Sequence, residues 1–270
     1  MLDQRLVIWD FDGVLCDSLF ECITVARVAV FQLDNPGISV TGENLHEICS
    51  HEVMAPLYEK MSGLRPFIVK GQDYLWQYYC YERLGSDFQN YVMYREQFDK
   101  VFEAKQDQIY ENAFYQARRL LADLMGQQYF TLFKPYSAAL YAFRASQRWY
   151  KNYICTARDQ YAVQLLFGCN AIEFPSERIF SKDLNGLKQN SGLTKTEQVL
   201  DILDREGGRD RSFLIVEDQV KTPIELKSEC KNMKVVCAEY GYGLRCDWEE
   251  ADIPNLKFVP NPAELVHEIY

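Results

Sequence analysis

From residue 131 to residue 270, short apolar runs alternate with helix-length segments, and this alternation restricts the fold more than any other feature of the chain. Strands are predicted at 153–155, 172–174, 178–180, 213–216, 235–237 and 257–259. Helices are predicted at 137–149, 160–167, 195–204 and 220–230, with a last one from Pro262. Strand runs without polar alternation need cover on both faces, and helices between successive strands supply it. The expected fold class is α/β, a doubly wound parallel sheet. One more run, Leu6-Val7-Ile8-Trp9, stands near the start and ends abruptly in Asp10, Asp12 and Gly13. It reads as a strand of the same sheet, which makes the chain that follows it an insertion.

That insertion, residues 18–130, reads as almost wholly helical. Ser18 is positioned to cap a helix carrying Val25, Val28 and Phe31, and Asp34-Asn35-Pro36-Gly37 breaks it. Thr41 starts another, with Leu45, Ile48, Val53 and Leu57 as its apolar positions. Gly63 and Pro66 punctuate again, before helices over 66–84 and 87–128. These carry Tyr74, Tyr78, Tyr79, Tyr81, Tyr91 and Tyr94, whose first use in helices is packing. Residues 1–17 and 131–270 would then form a core and 18–130 an inserted all-helical domain, a division that suits 270 residues.

Bulk features exclude several functions. With 29 basic and 39 acidic residues the formal charge is −10, and no basic run offsets it, so neither nucleic acid nor an anionic membrane is an expected partner. Residues 1–12 have no signal-peptide pattern, and no run of about 18 apolar residues suggests a membrane span. Nine scattered cysteines without a CxxC pair read as free thiols in a reducing cytoplasm. There are three histidines. His46 and His51 are five apart, about 140° around a helix, which is not the zinc-binding HExxH spacing. No GxxxxGK[ST] or GxGxxG loop occurs. Chemistry is therefore expected from carboxylates.

Four segments stand where an open parallel sheet binds ligands, beyond the carboxyl ends of strands or at a helix start. Asp10-Phe11-Asp12-Gly13-Val14-Leu15-Cys16-Asp17-Ser18 closes the first strand. Thr156-Ala157-Arg158-Asp159 ends the second with a hydroxyl, and the amides of the next helix start suit a phosphate oxygen. Thr194-Lys195-Thr196-Glu197 has the form of a capping box that puts Lys195 in a first helical turn, against the helix dipole. Glu217-Asp218 follows a buried strand; adjacent acids there repel unless a cation is near, and a hard-oxygen set suits Mg²⁺.

The pattern DxDGxLxDS, matched by Asp10 to Ser18, resembles the haloacid dehalogenase (HAD) superfamily, and the hydroxyl-ended strand, the lysine and the acidic pair follow in that family's order. An insertion after the first motif resembles the C1 cap of phosphoglycolate phosphatase and β-phosphoglucomutase relatives. The resemblance implies a Rossmann-like core, Mg²⁺ as cofactor and a small phosphorylated metabolite as substrate. It implies Asp10 as nucleophile, forming an aspartyl-phosphate, and Asp12 as general acid and base. Thr156 and the Ala157 amide would hold phosphoryl oxygens. Lys195 would neutralise charge, with Lys182 and Lys188 as rivals for that position. Asp10, Asp12 (through its carbonyl), Asp218 and Glu217 would hold the metal. Asp12 favours attack on phosphorus, because family dehalogenases lack an acid there.

A phosphatase is the first reading. A sugar-phosphate mutase needs the same residues, and a catalytically silent binding module of this fold is the third. Arg65 and Lys70 are candidate specificity residues in the insertion. Cys16 precedes Asp17 as a minor variation, Tyr136 stands where relatives often carry glycine, and Tyr240-Gly241-Tyr242-Gly243 reads as a loop flanking the site. The sequence carries no signal for an oligomeric state.

Overall fold

The structure, a computed structural model, describes residues 5–68, 70–84, 104–181 and 193–269. The chain divides into two compact units, Met1–Asp17 with Lys134–Tyr270, and Ser18–Phe133. The second boundary falls a few residues beyond the expected 130, because the 3₁₀ helix Gly126–Leu132 groups with the helices.

The first unit is built on a six-stranded parallel sheet. In chain order its strands are β1 (Leu6–Trp9), β4 (Lys151–Cys155), β5 (Ile179–Phe180), β6 (Phe213–Glu217), β7 (Met233–Ala238) and β8 (Leu256–Val259). They lie in the order β5-β4-β1-β6-β7-β8, so the first strand made is an inner one. Trp9 is level with Ile154 on one side and Val216 on the other. The residues just past these three partners therefore emerge at a single rim.

Every residue of β1 is buried, as a strand apolar on both faces requires. On one face Leu6, Ile8, Phe213 and Ile215 pack with Val199, Ile202 and Leu203 of α8 (Lys195–Arg205) and Trp248 of α10 (Arg245–Glu250). On the other, Trp9 meets Phe143 of α6 (Ser137–Ser146) edge-on at 5.4 Å, and Phe143 stacks on Phe167 of α7 (Gln160–Cys169) at 5.1 Å. Burying each such side chain stabilises by about 1.5–3 kcal/mol, so the sheet is held from both sides.

The expected strand at 172–174 is absent. The Ile172 amide returns to the Phe167 carbonyl at 2.9 Å, Ala171 sits at φ 51°, and Pro175 leads into the 3₁₀ helix Ser176–Arg178. Ile172 and Phe174 still pack inward, so their apolarity marks burial rather than extension. Helix α9 covers only Lys221–Leu226, with turns beyond it where helix was expected to 230. Helix α10 and the antiparallel pair β2 (Cys16–Asp17) and β3 (Lys134–Pro135) were not anticipated. A short α11 (Leu265–Ile269) ends the described chain.

The second unit contains α1 (Leu19–Asp34), α2 (Gly42–Ile48), α3 (His51–Ser62), α4 (Gln72–Leu84) and α5 (Ala104–Met125). Helix α1 is buried nearly all round, through Ile23, Val25, Ala26, Val28, Ala29 and Val30, and packs on α3, α4 and α5. Ser18 stands at its N-cap, yet its side chain makes no capping bond. The helix expected from Thr41 is two helices, broken at Cys49–Ser50, so His46 and His51 sit on different helices. Tyr74, Tyr78 and Tyr79 are buried, with Tyr74 stacked on Phe114 at 5.9 Å and Tyr79 against Tyr110 at 5.6 Å. Tyr91 and Tyr94 lie outside the described residues.

This unit also holds a buried ion pair. Glu21, fully buried on α1, accepts from Arg118 Nε at 2.8 Å, from Arg118 Nη2 at 3.2 Å and from the Tyr129 hydroxyl. Among the described residues no helix is long and apolar enough to cross a membrane.

Candidate active site

Asp10 follows β1 directly, and its amide donates to Val216 O of β6 at 2.9 Å, which continues the sheet ladder one residue past the strand. Its side chain is thereby fixed at the rim, 8% exposed, with Oδ1 accepting the Phe11 amide at 2.7 Å. Glu217 ends β6 on the neighbouring strand, and Asp218 comes next; both are 1% exposed. One oxygen from each of Asp10, Glu217 and Asp218 lies within 4.8 Å of the others.

Lys195 reaches this cluster from α8. Thr194 and Glu197 form the expected capping box, Glu197 N donating to Thr194 Oγ1 at 3.2 Å and Thr194 N to Glu197 Oε2 at 2.6 Å. The ammonium lies 2.8 Å from Asp10 Oδ1 and 2.5 Å from Glu217 Oε1. Burial disfavours the charged lysine, but the Asp10 and Glu217 carboxylates outweigh it and hold its pKa above the usual range. The cost of a cation in the first helical turn is offset by these two anions. Lys182 and Lys188, the rival lysines, lie outside the described residues.

Asp218 is seated by its neighbours. Its Oδ2 accepts the Tyr242 amide at 2.9 Å, and its carbonyl accepts Trp248 Nε1 at 3.2 Å. Gly13, at φ +81°, passes so close that a Cβ there would stand 2.2 Å from Asp218 Oδ2. A Cβ on Gly243 would stand 1.8 Å from Asp218 O. Backbone approach this close is open only to glycine. The Tyr242 hydroxyl also donates to Asp17 Oδ1 at 2.7 Å, tying this loop to β2.

The donor set fits a hard divalent cation. Among the described residues three buried carboxylates face the monovalent Lys195 ammonium, and Glu217 Oε2 is buried with no hydrogen-bond partner. Burial, and then the Asp10 carboxylate, push Glu217 well above the usual carboxylate range, although Lys195 opposes this. Such repulsion is relieved when a divalent ion shares the oxygens.

The Asp12 carboxylate is not part of that cluster. Both of its oxygens accept from Arg158 Nε, at 2.9 and 3.1 Å. Thr156 is 1% exposed; its amide donates to Phe180 O at 2.9 Å and its Oγ1 accepts the Arg158 amide at 3.1 Å. The following helix does not begin there. Asp159 is the N-cap of α7 and accepts the Ala162 amide at 2.9 Å, so one amide of that helix end is satisfied by the chain itself. Ala157 is exposed at the rim.

Asp10, Lys195, Glu217 and Asp218 are thus brought together, with Asp12, Thr156 and Ala157 on the adjoining segments. Arg65 and Lys70 belong to the helical unit. Arg65 is 9% exposed, its guanidinium over the Tyr74 ring at 6.0 Å, while Lys70 is exposed. Sequence reasoning passed over Arg158 and the bridging role of Tyr242. A charged residue two places past a strand-ending hydroxyl was the available signal for the first. Tyr136 needs no glycine-like geometry, since its φ is −81° and its ring packs on Tyr240 at 5.1 Å.

No protein-family model matches the chain, and no curated protein sequence does. Solved structures do. A haloacid dehalogenase-like family hydrolase from Streptococcus pneumoniae is 12% identical with a TM-score of 0.57, covering 100% of both chains. A protein described as a predicted phosphatase from Clostridium acetobutylicum is 16% identical, with a TM-score of 0.61 and 98% of both chains covered. One described as a predicted phosphoglycolate phosphatase from Haemophilus somnus is 15% identical, with a TM-score of 0.58 over 100% of both chains. At these identities the likeness is one of fold.

Proposed function

We propose that this chain, which has the haloacid dehalogenase-like fold, is a Mg²⁺-dependent phosphatase that hydrolyses a small phosphorylated metabolite through an aspartyl-phosphate on Asp10. The observation that carries the reading is the buried Asp10 carboxylate, held 2.8 Å from the Lys195 ammonium beside two further buried acids. The descriptions of similar folds as phosphatases point the same way.

In the first step an Asp10 oxygen attacks phosphorus while the P–O bond to the leaving group breaks. Asp12 gives its proton to the departing oxygen, which leaves as an alcohol. In the second step the Asp12 carboxylate takes a proton from water. The resulting hydroxide attacks phosphorus, the bond to Asp10 breaks, and inorganic phosphate departs with Asp10 restored. Lys195 neutralises the phosphoryl charge, and the Thr156 hydroxyl, which accepts from Arg158, keeps its own proton to donate to a phosphoryl oxygen. The Ala157 amide is assigned to a second phosphoryl oxygen. Asp10, Glu217, Asp218 and the Asp12 carbonyl would hold Mg²⁺, whose charge lets an anionic nucleophile approach an anionic phosphate. Arg65 and Lys70 remain the candidates for recognising the rest of the substrate.

The test is phosphate release from a panel of small monoesters, with and without Mg²⁺, by wild type and Asp10→Asn. Mg²⁺-dependent release that disappears in the variant is expected. A folded, Mg²⁺-loaded wild type that releases nothing from any ester overturns the reading.

A further inference from the structure

We infer that Arg158 is a positioning residue for the acid–base step, holding the Asp12 carboxylate where it meets the leaving oxygen; this rests on the proposed phosphatase activity. An arginine is rarely buried unless paired, and Arg158 is 2% exposed. Its Nε–H is shared between the two Asp12 oxygens at 2.9 and 3.1 Å, which sets the direction of the carboxylate as well as its place. The Asp12 side chain stays 18% exposed, so the guanidinium supports it from one side and leaves it reachable from another.

Arg158 is itself fixed from two segments of the rim. Its amide donates to Thr156 Oγ1 at 3.1 Å, and its guanidinium lies 5.9 Å from the centre of the Phe11 ring. Phe11 in turn donates its amide to Asp10 at 2.7 Å. Arg158 therefore meets the acid–base residue through its guanidinium and the strand-ending hydroxyl through its amide, and it lies beside Phe11, whose own amide bonds the nucleophile. Arginine does not give up its proton in proteins, so Arg158 is not itself the acid. It is nearly sealed from solvent, with Nε turned toward Asp12. Its contribution is orientation, and displacements of about 1 Å at a reacting group cost about 10²-fold.

An effect exerted through Asp12 has a signature. Proton donation matters most when the leaving group is a poor one. The experiment compares kcat/KM of Mg²⁺-loaded wild type, Arg158→Ala, Arg158→Lys, Asp12→Asn and the Asp12→Asn/Arg158→Ala double variant on an alkyl phosphate and on nitrophenyl phosphate. Arg158→Ala is expected to lose about 10²-fold on the alkyl ester and less than about tenfold on the nitrophenyl ester. In the Asp12→Asn background the same change should cost less than about threefold, as for residues acting as one unit. Added guanidinium ion should restore part of the alkyl activity of Arg158→Ala. If the alanine variant does not fold, Arg158→Lys carries the comparison, because it keeps the charge and loses the bonding geometry. Equal losses on both esters, a change confined to KM, or full additivity with Asp12→Asn overturns the inference and leaves the phosphatase reading standing. A wild type that releases no phosphate overturns both.

Discussion

Gly243→Ala isolates how tightly the backbone is packed around Asp218. The added Cβ would stand 1.8 Å from the Asp218 carbonyl oxygen, an atom that already accepts the Trp248 indole at 3.2 Å. Real contacts of this kind do not fall below 3.0 Å, so the loop or Asp218 must move by more than about 1 Å. Such overpacking costs about 1–3 kcal/mol of stability, which is a urea midpoint shift on the order of 1 M. A shift of about 1 Å at a reacting group costs about 10²-fold in kcat/KM, and the Mg²⁺ needed for half-maximal rate should rise. The control is Gly42→Ala, where a Cβ meets nothing within 4 Å; neither midpoint nor rate should fall. Urea denaturation and a Mg²⁺ titration of phosphate release measure both quantities. A folded Gly243→Ala variant with wild-type rate and Mg²⁺ dependence would refute this account of the site and not the proposed activity itself.

Other perturbations reach different parts of the molecule. Glu217 has a folded pKa raised above its ordinary 4.5, so its contribution is present below that value and lost as pH rises through the raised one; denaturation in EDTA should show metal-free stability falling over that range. Glu217→Gln should flatten the fall while demanding more Mg²⁺ for activity, and an unchanged pH slope would count against it. Arg118→Met should cost about 3–5 kcal/mol in the helical unit by stranding the buried Glu21 carboxylate, and Glu21→Leu/Arg118→Met should recover most of that loss in the same denaturation assay. Cys155 is buried with its thiol pushed far up, and burial raises Cys49 to about 11. Among the described cysteines, alkylation at pH 8 followed by mass mapping should therefore label the exposed Cys169 and Cys246 first; early labelling of Cys155 would refute its burial.

Strands β1, β4, β6 and β7 were legible because both their faces are buried, which leaves uninterrupted apolar runs in the sequence. β2 and β3 were not, since two residues each carry no periodicity. Ile172 misled because a residue packed inward at a helix end looks the same as one in a strand. The α2–α3 break was hidden because Cys49 and Ser50 give no glycine or proline signal, and the step of five from Ile48 to Val53 was its one trace among the apolar positions. At the site, Asp10, Glu217 and Asp218 declared themselves as acids placed after apolar strands, and Lys195 as a cation in a capping box. Arg158 did not, because its partner Asp12 is 146 residues away and only the pairing of β1 with β4 makes them neighbours.

The place of β1 has a consequence for biogenesis. Leu6 is paired with Lys151 on one side and Phe213 on the other, so β1 leaves the ribosome before both neighbours and cannot be completed until Phe213 has been made. At about 5–20 residues per second, Leu6-Val7-Ile8-Trp9 waits on the order of 10–40 s for its second neighbour. Meanwhile the contacts of the helical unit, all drawn from residues Ser18–Phe133, can form. Nascent chains stalled before Phe213 should be retained by a chaperone that holds apolar segments, and chains stalled after β8 should be released. The first strand is thus a template held in waiting, and synthesis from the amino end makes its shelter a matter of timing.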